Sequence, residues 1–111
     1  MLYGETSYPS VRVVTFEGDL GSDDDTELRK LFVWLQDEGP TNVVWNLGKV
    51  EFLDSTALGT IVWGMKNLRE VGGDLRLCCL TGFVDRLFKL TSLDMAFKIF
   101  QTEDEAVHSY D

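Results

Sequence analysis

Hydrophobic and polar positions along the chain switch repeatedly between a period of two and a period near 3.6. Val11-Arg12-Val13-Val14-Thr15-Phe16 is rich in β-branched residues and lies between Pro9 and Gly18, which predicts a strand. Leu2-Tyr3 predicts a short strand before it. Asp23, Asp24, Asp25 and Thr26 then supply N-cap and first-turn signals, favourable beside the positive end of a helix dipole. Leu28, Leu31, Phe32 and Leu35 follow at helical spacing, and Gly39-Pro40 ends that helix.

The short apolar run Asn42 to Leu47 predicts a buried strand. A connection from Val50 to Leu53 leads into Asp54-Ser55-Thr56-Ala57, after which Leu58, Ile61, Val62, Met65 and Leu68 form the stripe of an amphipathic helix that Gly72-Gly73 stops. Gly59 and Gly64 within that helix are expected to let it lie close to its neighbours. Asp74 to Cys78 alternates as a strand does, and Phe83, Val84, Leu87 and Phe88 mark a third helix starting near Thr81 or Gly82. Phe97 to Phe100 predicts a short last strand, and Thr102-Glu103-Asp104-Glu105 a capping box that opens a final helix. Strands separated by single helices require crossover connections. The fold class is therefore α/β, one domain over residues 1–111 with a mainly parallel sheet, and no repeat or linker interrupts it.

Composition narrows the function. Hydrophobic residues make up 44% and charged residues 26%, a globular mix, and 10 basic against 19 acidic residues give a net charge of -9. Such a surface repels phosphate backbones and anionic lipid heads, which argues against direct binding of nucleic acid, and it steers a basic protein face towards it. No apolar run approaches the ~20 residues that span a bilayer, and Met1 to Ser10 lacks a basic segment followed by an apolar one, so the expectation is a soluble cytoplasmic protein with no membrane insertion.

Cys78 and Cys79 are adjacent; on a strand their side chains point to opposite faces, so no bridge is expected, and no metal-ligand spacing is present. His108 is the only histidine, on the predicted terminal helix with no nucleophile beside it, and reads as a surface residue. The Asp23-Asp24-Asp25 run lacks the alternating ligands and central glycine of a calcium loop and reads as helix capping. Gly18, Gly21, Gly59 and Gly64 compose no nucleotide fingerprint. The expectation is a binding module, with no enzyme activity, cofactor or metal.

Asp54-Ser55-Thr56 stands out for its place, with two hydroxyls at a predicted helix N-terminus. Capping alone accounts for the pattern, at about 1 kcal/mol. The functional reading is phosphorylation, because a phosphate there meets a positive dipole end while Asp54 and Glu51 repel it.

The stretch from Asn42 to Tyr110 resembles the STAS family, and within it the anti-sigma factor antagonists. The resemblance rests on Val43-Val44-Trp45-Asn46-Leu47, on Val50-Glu51-Phe52-Leu53-Asp54-Ser55-Thr56-Ala57-Leu58-Gly59 and on Gly72-Gly73-Asp74-Leu75-Arg76-Leu77. It continues through Val84-Asp85-Arg86-Leu87-Phe88, Leu90-Thr91-Ser92-Leu93-Asp94, Phe97-Lys98-Ile99-Phe100 and Thr102-Glu103-Asp104-Glu105-Ala106, with Gly18-Asp19-Leu20 and Glu27-Leu28 upstream. The fold it implies is a mixed, mostly parallel sheet of about four or five strands with roughly four helices packed against it.

The function the resemblance implies is partner switching in the control of transcription. The unphosphorylated domain would bind an anti-sigma factor that is also a serine kinase, phosphorylation of Ser55, with Thr56 as second choice, would release it, and a PP2C-type phosphatase would reset it. The partner surface so implied runs over Gly18, Asp19, Leu20, Gly21, Ser22 and Asp23 and over Asp54, Ser55, Thr56, Ala57 and Leu58. Two positions depart from the family pattern and bear on the switch. Ala57 stands where glycine is usual, which bears on how closely a partner's backbone approaches, and Gly21 stands where switching members carry the aspartate that helps engage the kinase. The alternative within the family is an unswitched scaffold subunit, for example of an ABC-type lipid transporter.

Overall fold

The computed structural model describes residues 1–111. Five strands form one sheet in the order β1 (Leu2–Ser7), β2 (Arg12–Glu17), β3 (Asn42–Lys49), β4 (Asp74–Cys78) and β5 (Ile99–Phe100). β1 runs antiparallel to β2, and every other pairing is parallel. Helices α1 (Asp25–Glu38), α2 (Ser55–Glu70), α3 (Gly82–Leu90) and α4 (Glu103–His108) connect or follow the parallel strands, so the mainly parallel α/β architecture expected from the alternation is the one formed, and the antiparallel β1 makes the sheet mixed, as the family resemblance implies.

Each central strand is buried on both faces, which is why its sequence reads as a continuous apolar run. Val43, Trp45 and Leu47 of β3 join Val14 and Phe16 of β2 and the apolar stripes of α1, α2 and α3 in the larger core. Val44, alternating with them, joins Val11, Val13, Cys78 and the α4 residues Ala106 and Val107 in a smaller core on the opposite face. Trp45 occupies the centre of the larger core, its ring 4.4 Å from Phe16 and 4.7 Å from Phe32 between centroids.

Helices α1 and α2 cross where Gly64 faces Phe32; a Cβ on Gly64 would lie 2.2 Å from a Phe32 ring carbon, so only glycine fits. Gly59 has no such role, because it is exposed and a Cβ there would meet nothing within 4 Å. The crossing is also held by polar contacts. The buried Thr60 hydroxyl donates to Asp25, whose other oxygen accepts from Arg29 Nε at 2.9 Å. At the other end of α2, the carboxylate of Asp74 accepts from Arg69 (2.7 Å) and Arg76 (3.2 Å), and the Tyr110 hydroxyl donates to the carbonyls of Val43 (2.8 Å) and Asp74 (3.0 Å).

The elements differ from the sequence pattern in four places. β1 spans six residues instead of two, because it is an exposed edge strand held by backbone pairing to β2, which leaves no apolar alternation to read. The last strand loses Phe97 and Lys98: the Phe97 N–H donates to the Leu93 carbonyl, continuing a turn, and its side chain is buried. Strand alternation does not govern Cys79, which lies past the end of β4 with φ of 67° and packs against the same smaller core as Cys78; both thiols are free. In the predicted capping box, the Thr102 hydroxyl oxygen accepts the Glu105 N–H (3.1 Å), while the Glu105 carboxylate accepts the Thr102 hydroxyl instead of a backbone N–H.

Candidate functional site

Parallel strands gather the loops that follow them at one edge of the sheet, and there the two segments singled out in the sequence meet. The chain leaves β2 through Gly18, whose N–H donates to the Lys49 carbonyl (3.2 Å). Leu20, fully buried, forms an isolated parallel bridge with Leu53: its N–H donates to the Phe52 carbonyl and its carbonyl accepts the Asp54 N–H, both at 3.1 Å.

Asp54 joins the segments a second time, through its side chain. It is the N-cap of α2, with Oδ1 accepting the Ala57 N–H at 2.9 Å. Its other oxygen, Oδ2, accepts the Ser22 N–H, also at 2.9 Å. One carboxylate thus caps the helix and straps the loop to it. The aspartate run meets the expectation in part: Asp25 lies in the first turn of α1, but Asp24 at the N-cap position makes no side-chain cap. Ser22–Asp24 forms a 3-10 turn in which Asp24 Oδ2 accepts the Gly21 N–H (2.9 Å).

Ser55 and Thr56 lie on the first turn of α2 with exposed side chains. Gly18, Asp19, Ser22 and Asp23 are exposed too, and Gly21 and Asp54 are half-buried. Leu20 and Ala57 are fully buried, and Leu58 nearly so, so these three support the surface from beneath instead of presenting side chains to a partner. Burial also settles where the Ala57 methyl goes. It enters the core and leaves the approach of another chain unobstructed. At position 21 the backbone is extended, with φ of -137°, and a Cβ there would stand 3.3 Å from Asp54 Oδ2.

The electrostatics are one-sided. Asp19, Asp23, Glu51 and Asp54 take part in no ion pair, whereas Asp25, Asp74 and Asp85 are each matched by arginine or lysine. His108, exposed on α4, has its pKa raised by its hydrogen bond to Asp111 and by the charge of Asp104. The surface depressions run beside β1 and α1, with Tyr3 and Trp34 recurring in their lining, and none is lined by Ser55 or Thr56. The Ser55 region is an open surface carrying a free hydroxyl on a helix N-terminus. Its chemistry suits modification and docking.

Two residues of this edge were not singled out from sequence. Phe52 and Phe83 remain 46% and 39% exposed, and their rings stack with centroids 5.2 Å apart and an interplanar angle of 20°. The sequence pattern placed Phe83 in the apolar stripe of α3, but the structure buries Val84 and Phe88 of that helix and leaves Phe83 outside the core.

The family model for the STAS domain matches residues 6–106. A Thermotoga neapolitana protein named as a candidate anti-sigma factor antagonist is 36% identical over 78 residues, covering 67% of this chain and 69% of that one. The crystal structure of a candidate anti-sigma factor antagonist from Thermotoga maritima superposes with a TM-score of 0.90 at 27% identity, over 96% of this chain and 92% of that one. SpoIIAA, an anti-sigma factor antagonist solved in its unphosphorylated form, shares the fold, with a TM-score of 0.76 at 20% identity over 98% of this chain and 97% of that one.

Proposed function

The chain belongs to the STAS domain family, and on that premise we propose that it is an anti-sigma factor antagonist switched by phosphorylation of Ser55. The observation that carries this reading is the exposed Ser55 hydroxyl, one residue beyond the carboxylate that fastens the Gly18–Asp23 loop to α2. Unphosphorylated, the loop and the helix start present one continuous surface to an anti-sigma factor with serine kinase activity. A phosphate on Ser55 adds roughly two negative charges beside Asp54 and Glu51, neither of which has a cationic partner to offset them. The added charge disrupts the interface, and a PP2C-type phosphatase restores it. The names of the sequence relatives support an anti-sigma factor as partner; the kinase, the phosphatase and the modified residue are part of the proposal.

The test is to incubate the protein with an anti-sigma factor kinase from the same genome and with ATP, and to locate phosphate by mass spectrometry. A single phosphate on Ser55, absent from Ser55→Ala, is the expected result. Stable binding to that partner with no phosphate would refute the switch and leave the unswitched scaffold, a reading that Gly21 already favours by its lack of a carboxylate.

A further inference from the structure

Three aromatic rings on this molecule are each covered by an arginine, whereas the exposed rings of Tyr3 and Tyr8 are not. Arg12 lies over Trp34 at 4.4 Å, Arg29 over Trp63 at 4.8 Å and Arg76 over Tyr110 at 3.8 Å. The Phe52–Phe83 stack has no such cover. It is not needed to anchor the elements that carry it, since Leu53 beside Phe52, and Val84 and Phe88 of α3, are buried in the larger core. Its position is continuous with the Ser55 surface: Phe52 precedes the Asp54 cap by two residues, and its carbonyl accepts the Leu20 N–H at 3.1 Å. Acidic groups without ion-pair partners flank it in the same two segments, Glu51 next in sequence and Asp19 next to Leu20.

An apolar centre with charges at its edge is the arrangement in which a few buried aromatic residues carry most of the binding energy and the rim sets the association rate. Resting on the reading given above, we infer that Phe52 and Phe83 are the anchor of the antagonist's interface and that they enter an apolar socket on the anti-sigma factor rimmed by lysine or arginine side chains. Charge complementarity selects that occupant. A second copy of this chain, with net charge -9, would bring the same unpaired carboxylates to the contact.

The experiment measures binding of an anti-sigma factor from the same genome to wild type, Phe52→Ala, Phe83→Ala, the double variant, Phe52→Leu and Glu51→Gln, with circular dichroism to confirm folding and sedimentation to record self-association. Each alanine variant is expected to bind at least tenfold more weakly through faster dissociation, while Phe52→Leu retains most of the affinity. Glu51→Gln should slow association and reduce its salt dependence. Equal binding by wild type and the folded double variant would overturn the inference and leave the partner reading standing. Failure of wild type to bind would overturn the partner reading and the inference with it. A wild-type dimer abolished by the double variant, with partner binding unaltered, would assign the patch to a second copy and overturn the inference alone.

Discussion

Replacing Asp54 separates its two duties. Asp54→Ala removes the acceptor for Ala57 N–H and the acceptor for Ser22 N–H together. Loss of an N-cap costs about 1 kcal/mol, and loss of a hydrogen bond to an exposed backbone N–H costs about 1 kcal/mol more. Asp54→Asn behaves differently. Asparagine caps helices as well as aspartate does, so its amide oxygen retains the Ala57 contact, but its NH2 then faces the Ser22 N–H, donor against donor. The expected losses are therefore about 2 kcal/mol for alanine and about 1 kcal/mol for asparagine.

Denaturant unfolding at constant m-value measures these totals, and amide hydrogen exchange apportions them. The Ser22 amide should exchange faster in both variants, and the Ala57 amide faster in the alanine variant alone. Equal destabilisation by alanine and asparagine, or an unchanged Ser22 exchange rate in both, would refute the claim that one carboxylate holds loop and helix separately.

Two further outcomes test other parts of the structure. Gly64→Ala places a methyl group 2.2 Å from Phe32 and should destabilise the protein by about 2 kcal/mol, with Phe32→Leu in the same chain recovering part of the loss in unfolding measurements. His108 is the only histidine, so its NMR titration is unambiguous: its pKa should lie above the ordinary value of a free histidine and fall in Asp111→Asn. Because folding raises that pKa, the associated stabilisation is complete below the unfolded value and fades as pH rises through the folded one.

The central sheet and its helices were legible because burial on both faces leaves strong apolar runs in β2, β3 and β4 and regular stripes in α1 and α2. β1 was nearly illegible, since all six of its residues are exposed and its partner is chosen by backbone pairing. The proposed site was legible at the level of residue type, as hydroxyls behind a capping acid. The strap was not. Ser22 and Asp54 are 32 positions apart, and nothing in local spacing signals that a backbone N–H of one segment will complete the side chain of another. Phe52 and Phe83 were hidden for a related reason: an aromatic residue beside a buried Leu53 or Val84 looks like core until the fold shows which way it faces.

Position 21 shows how the strap constrains the surface above it. Its extended backbone, with φ of -137°, is open to any residue, so conformational freedom does not require glycine there. The constraint is the neighbour. A Cβ would stand 3.3 Å from Asp54 Oδ2, the oxygen that accepts the Ser22 N–H, and that carboxylate is held at both ends and has little room to yield. An acidic side chain at 21 would add a like charge to this crowding, in a region whose other carboxylates are already unpaired. With glycine at 21, the strap forms without that pressure, and the acids nearest to it along the loop that face outward are Asp19 and Asp23, one on either side. Any basic group that a partner brings to this loop is therefore expected to be met at Asp19 or Asp23, two residues to either side, with Asp54 left to its structural role.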